Sequence, residues 1–166
     1  MNVLAIDPGN ALSAYCIIDA DTLRPVKFDK VENKELRNTM AFGKSLMFGH
    51  AAIEMVASYG MPVGREVFDT CRWIGRFEEL LNILGVQPAI VYRKDEKLHI
   101  CNDSRAKDAN IRRALIDRFA RHDLKNGRGT KNDPDWFYGF KADIWAAYAV
   151  GITYIETMMD PSERSI

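Results

Sequence analysis

Short apolar runs punctuated by turn residues dominate the first part of the chain. Val3-Leu4-Ala5-Ile6 stops at Asp7-Pro8-Gly9-Asn10, the pattern of a buried strand that ends in a turn. Leu12 to Ile18 is again apolar and ends at Asp19-Ala20-Asp21, which suits a hairpin partner. Val26 to Val31 alternates, as a half-exposed third strand does. Residues 33 to 48 predict a short helix. Ala51 to Val56 reads as a further buried strand, with a Gly/Pro loop at 60 to 64 behind it. Val67, Cys71, Ile74, Phe77, Leu81 and Leu84 recur at spacings of three and four. They predict a helix over about 65 to 84, stopped by Gly85. Pro88 to Tyr92 is a fifth strand, Ser104 to about Arg121 a basic helix, and Leu124 to Asp135 a polar loop. The last helix is expected from about Phe140 to Met158, with a frayed tail from about residue 159. This order predicts an α/β fold: a mixed sheet of about five strands flanked by helices, in a single domain spanning 1–166.

Composition agrees with that reading. The chain has 166 residues, 47% apolar and 28% charged, ordinary for one globular domain with a real core. Cys16, Cys71 and Cys101 form no CxxC or Cys/His cluster, which argues against zinc and against a disulfide framework. The start MNVLAIDPGN is not a signal peptide, and no apolar run reaches the roughly 18 residues a membrane helix needs. A soluble, cytoplasmic protein without a membrane partner is expected.

Charge changes the picture only when read along the chain. The 23 basic and 23 acidic side chains cancel, which excludes a uniformly basic coat. From Arg93 to Lys131, however, twelve basic residues face six acidic ones. Such a run is either a solvated helical face or a surface that tracks phosphates. Asp108 to Arg112 and Asp117 to Arg121 lie four apart, as helix-stabilising pairs do. In the phosphate reading, Arg105, Lys107, Arg112 and Arg113 contact DNA, and Arg65, Arg72 and Arg76 on the earlier helix extend the surface. Trp73 beside them serves as an interior residue, a dimer contact or a platform for an unpaired base.

Three carboxylates resist a purely structural explanation. Asp7 ends the first strand, where a turn role at the Pro-Gly bend competes with a functional one. Glu54 interrupts Ala-Ala-Ile-Glu-Met-Val-Ala; it either turns to solvent by alternation or needs a compensating cation. Asp143 shares a helical stripe with Ala147, Val150 and Tyr154, although a first-turn acid also suits the helix dipole. Converging from two strands and a helix, three such acids would offer oxygen-only ligands that suit Mg²⁺ or Mn²⁺. Two ions roughly 4 Å apart would serve phosphodiester hydrolysis.

Ala5-Ile6-Asp7-Pro8-Gly9, Ala52-Ile53-Glu54 and Lys141-Ala142-Asp143-Ile144-Trp145-Ala146-Ala147 resemble, in order, the three acidic motifs of RuvC-like Holliday junction resolvases. These are nucleases of ribonuclease-H-like fold, and the phage-encoded branch is the most similar. The resemblance runs from Met1 to about Met158. It implies a two-metal, Mg²⁺-dependent endodeoxyribonuclease that cuts four-way DNA junctions in pairs as a homodimer. It also implies Asp7, Glu54 and Asp143 as metal ligands, and Lys107 as the catalytic lysine at the start of the penultimate helix. One departure is plain: the family's fourth acid or histidine falls on Phe140, with Asp133 or Asp135 as candidate substitutes. That departure motivates an alternative, a branched-DNA-binding protein whose catalysis has decayed. The Asp7-Pro8-Gly9 turn also resembles the first phosphate loop of sugar kinases, which need two such domains and longer chains.

Overall fold

The computed structural model, which describes residues 1–43, 46–58 and 60–163, holds five strands and five α-helices among those residues. Strands β1 (Asn2–Asp7), β2 (Leu12–Asp19) and β3 (Pro25–Glu32) form an antiparallel meander. Helix α1 (Asn33–Phe42) leads to β4 (His50–Met55), and α2 (Arg65–Ile83) leads to β5 (Ala89–Tyr92). Helices α3 (Arg93–Cys101), α4 (Asp108–Phe119) and α5 (Ile144–Thr157) follow, then a short 3₁₀ turn, Pro161–Glu163. The sheet order is β3-β2-β1-β4-β5, with β4 and β5 parallel to β1. The mixed, helix-covered sheet expected from the sequence is what forms.

The period of two in the strands sorts their side chains onto two faces. Leu4, Ile6, Tyr15, Ile17, Ala51 and Ile53 pack with Ile74, Phe77 and Leu81 of α2 and with Leu36 and Met40 of α1. Val3, Ala5, Cys16, Ile18 and Ala52 face the other way, onto α5 and the apolar side of α4. Helix α5 is buried nearly all round, so its sequence shows little amphipathy. It lies close on the sheet because Gly151 has no side chain. A Cβ there would stand 2.3 Å from Ile18 Cδ1 and 2.9 Å from the Ala5 Cβ.

Several boundaries differ from the sequence reading. The first helix ends at Phe42; of the expected stretch to 48, Lys44 and Ser45 lie outside the described residues. Leu84 caps α2 and is exposed, so the apolar stripe ends at Leu81. Ile74 and Phe77 are core residues and offer no surface to a partner. The basic helix expected from Ser104 is α4, which begins only at Asp108; a further helix, α3, precedes it and was hidden because RKDEKLHIC carries no apolar period. The last helix starts at Ile144, four residues late, because Ala142 takes a left-handed φ of 43° and stops helical continuation upstream. Among the described residues, no helix is long and apolar enough to cross a membrane.

Candidate active site

Asp7 and Glu54 meet as a direct result of register. On β1, Val3 and Ala5 face α5, so Asp7 does too; on β4, Ala52 faces α5, so Glu54 follows. Ile6 pairs with Ile53, which makes Asp7 and Glu54 the next rung of two parallel strands. Alternation therefore turns Glu54 inward rather than to solvent, and its side chain is 16% exposed. The turn behind Asp7 is braced by a small polar ring. Ser13 Oγ donates to Asn33 Oδ1 (2.6 Å), Asn33 Nδ2 donates to the Gly9 carbonyl (2.9 Å), and Gly9 N–H donates to Ser13 Oγ (3.3 Å). Any side chain at Gly9 would collide with the Leu12 carbonyl, 2.3 Å from a Cβ.

The pair is electrostatically crowded. Burial, and then the charges of Glu54 and Asp143, push the Asp7 carboxyl up to about 8, so at neutral pH it donates a hydrogen bond to Glu54. Glu54 is also raised by burial, against the pull of Arg93 and of the Asp7 hydrogen bond. Arg93, the first residue of α3, sets its guanidinium 3.9 Å from Glu54, 2.6 Å from Glu96 and 2.5 Å from Asp108. Glu96 has no exposed surface, and its Oε1 has no hydrogen-bond partner. Burial and the Glu54 charge push it up to about 9.

Asp143 stands at the N-cap of α5, above the same end of the sheet. It is near enough to raise Asp7, yet its carboxylate ion-pairs with Lys30 and its side chain remains 48% exposed. Lys30 reaches it along a row that crosses the sheet from Lys30 through Ala14 to Asp7, where the small Ala14 leaves room. Among the described residues, no group of three or more His, Cys, Asp or Glu gathers closely enough to hold a metal as it stands. The arrangement is thus a buried carboxyl pair with a third acid held off by a lysine. With Asp7 and Glu54 both ionised, its hard oxygen donors would carry more negative charge than Arg93 offsets. That suits Mg²⁺, which takes one or two carboxylates and completes its shell from water and substrate phosphate.

The other expected residues fall into place unevenly. Lys107 is not brought to the carboxylates. It is the exposed N-cap residue of α4 and lines a cavity of about 440 Å³ with Cys101, Arg105, Asn110 and Arg113. The cation facing Glu54 is Arg93 instead. Phe140 is a core aromatic, 4.6 Å edge-on from Phe28. Neither candidate substitute takes its place. Asp135 accepts backbone N–H bonds from Arg121, His122, Asp123 and Trp136, and Asp133 is exposed beside His122. The additional acid near the pair is Glu96. Its only sequence signal is the i,i+3 spacing from Arg93, which without a visible helix means nothing.

Arg112 stacks on the Trp145 ring at 4.7 Å and, with Asp143 and Arg93, lines a narrow cleft of about 80 Å³. It does not pair with Asp108, which Arg93 takes. Arg113 pairs with Asp117, and Arg121 lies over Trp136 rather than on Asp117. Arg65 and Arg72 flank Asp69 on the outer side of α2, Arg76 covers Trp73 at 4.5 Å, and Arg105 is almost fully exposed beside Asp103. Trp73 is half-buried against Phe77.

No protein-family model and no curated protein sequence matches the chain. Solved structures do. The chain superimposes on Thermus thermophilus RuvC with a TM-score of 0.66 at 13% identity, covering 93% of each chain. It also superimposes on T. thermophilus RuvC in complex with Holliday junction substrate, with a TM-score of 0.67 at 13% identity, covering 93% of this chain and 92% of that one. The chain therefore has a RuvC-like fold, of the ribonuclease-H-like class.

Proposed function

We propose that this protein is a metal-dependent, structure-selective endodeoxyribonuclease that resolves four-way DNA junctions by paired phosphodiester hydrolysis. The carrying observation is the Asp7–Glu54 pair on adjacent parallel strands, beneath the N-terminus of α5, in a fold shared with a protein solved on a Holliday junction. Asp7 and Glu54 would hold the cation, with the Asp7 proton released to solvent as it binds. Asp143 would join them by giving up Lys30, as a second ion would require. When bound, Mg²⁺ (or Mn²⁺ in its place) supplies Lewis acidity that polarises the phosphodiester and activates the attacking water. Arg93 keeps the Glu54 carboxylate oriented and presents positive charge to the cleft it shares with Arg112. Arg65, Arg72, Arg76, Arg105, Lys107 and Arg113 are exposed enough to meet DNA backbone farther out. Paired cuts need two such sites, so the active species is a homodimer.

A synthetic four-way junction with Mg²⁺ should be nicked at paired positions near the crossover, and Asp7→Asn should abolish cleavage while leaving binding intact. Intact junctions with both Mg²⁺ and Mn²⁺ would overturn the reading. Light scattering at micromolar concentration should give a dimer's mass. A second reading, a branched-DNA binder without catalysis, draws on the Lys30–Asp143 ion pair and on Phe140 in the core. Calorimetry separates the two: a non-catalytic binder shows no Mg²⁺ uptake that Asp7→Asn removes.

A further inference from the structure

Beside the carboxyl pair lies a second cavity, of about 380 Å³, lined by Arg93, Lys94, Lys97 and Ser104. Arg93 also lines the narrow cleft that holds Asp143 and Arg112, so this one guanidinium borders both spaces. The wall is built rather than incidental. Arg93 is anchored by the fully buried Glu96 and by Asp108. On α3, Arg93 and Lys97 stand four apart and Lys94 and Lys97 three apart, so all three lie along one side of the helix. Asn102, in a left-handed conformation with φ of 52°, ends α3 and turns the chain back, which brings Ser104 to the same wall.

The chemistry of this wall is one-sided. It has three cations and a hydroxyl, and among the described residues no carboxylate lines it. Arg93 is already engaged by acids, but among the described residues neither Lys94 nor Lys97 makes an ion pair. Lys97 also lies close enough for its charge to act on Glu54. Free ammonium groups around a concave space, with a hydroxyl donor on the same wall, match phosphate oxygens. Opening beside the cleft of Asp143 and Arg112, the cavity continues the path a strand would follow away from the cut.

We infer that Arg93, Lys94, Lys97 and Ser104 form a backbone-phosphate subsite that holds the phosphodiester next to the one being cleaved, with Glu96 as the positioning residue that fixes Arg93. This rests on the proposed nuclease reading. Both lysines belong to the basic run from Arg93 to Lys131, although neither was singled out there as a DNA contact.

The test is junction binding without cleavage, by fluorescence anisotropy in EDTA, across about 50 to 200 mM salt. A Lys94→Ala/Lys97→Ala variant should bind roughly tenfold more weakly, with a log–log salt slope shallower by nearly two, as each lost phosphate contact removes about 0.9. Lys94→Arg/Lys97→Arg should restore the slope. Lys27→Ala/Arg37→Ala, which removes as much charge from β3 and α1, should leave it unchanged. Circular dichroism confirms that each variant folds. If the wild type binds the junction and the double variant keeps its slope and affinity, the subsite is wrong while the nuclease reading stands. An equal loss in the Lys27/Arg37 variant also overturns it, since the effect is then one of total charge. A wild type that binds no DNA overturns both.

Discussion

At the scale of single residues, the behaviour of Asp7 is the most accessible to measurement. Its carboxyl is raised to about 8 by burial and by neighbouring acids. In the metal-free protein, the stability it lends is complete below its unfolded value near 4 and is lost as pH climbs through 8. Asp7→Asn stays neutral throughout. It should make the metal-free protein about 1–2 kcal/mol more stable than wild type at alkaline pH, read by urea unfolding, with little difference under acid conditions. Asp135 has the opposite sign. Burial opposes its charge, but four backbone N–H donors outweigh that cost and hold the carboxyl well below the usual range. The stability it contributes is present above its unfolded value and is lost as pH falls below it. Asp135→Asn should cost about 1–3 kcal/mol at neutral pH, and the difference from wild type should shrink in acid. Lys30 supplies a third residue-scale test. If it holds Asp143 away from a bound ion, Lys30→Met should tighten Mg²⁺ binding several-fold in calorimetry; unchanged affinity would remove Asp143 from the ligand set.

At the scale of elements, helices and strands were legible to different degrees. The strands show as short apolar runs, alternating in β3, bounded by turn residues, so all five were readable to within a residue or two. The helix after β5 was not, because the first five residues of α3 are all charged and the residue it buries is Glu96, held by Arg93, rather than an apolar stripe. Helix α5 was visible as an apolar run, but its start was misjudged, since the backbone strain at Ala142 leaves no trace in hydrophobic pattern. Its seating is testable. Gly151→Val would force the helix away from Ala5 and Ile18, costing about 1–3 kcal/mol and lowering the melting temperature by several degrees in a thermal scan.

At the scale of the molecule, the zero net charge conceals a division. Acids gather at the ends of β1 and β4 and the start of α5, while α3 carries Lys94 and Lys97, without ion pairs among the described residues, and α4 brings Arg112 to Asp143. A divalent cation would neutralise the first group, and a phosphate backbone would neutralise the second. Neither partner could be read from the sum. That Asp7 and Glu54 sit in apolar strands was legible in the sequence. Which way Glu54 turns was open there, and the register of β1 on β4 decided it. What only the tertiary structure decided, beyond that, is which cation each acid meets. Lys30 and Asp143 lie 113 positions apart, and Arg93 reaches Glu54 from a helix with no hydrophobic signature. Hydrophobic periodicity encodes which side of an element is buried. Charge pairing depends on distances between elements, and those exist only once the chain has folded.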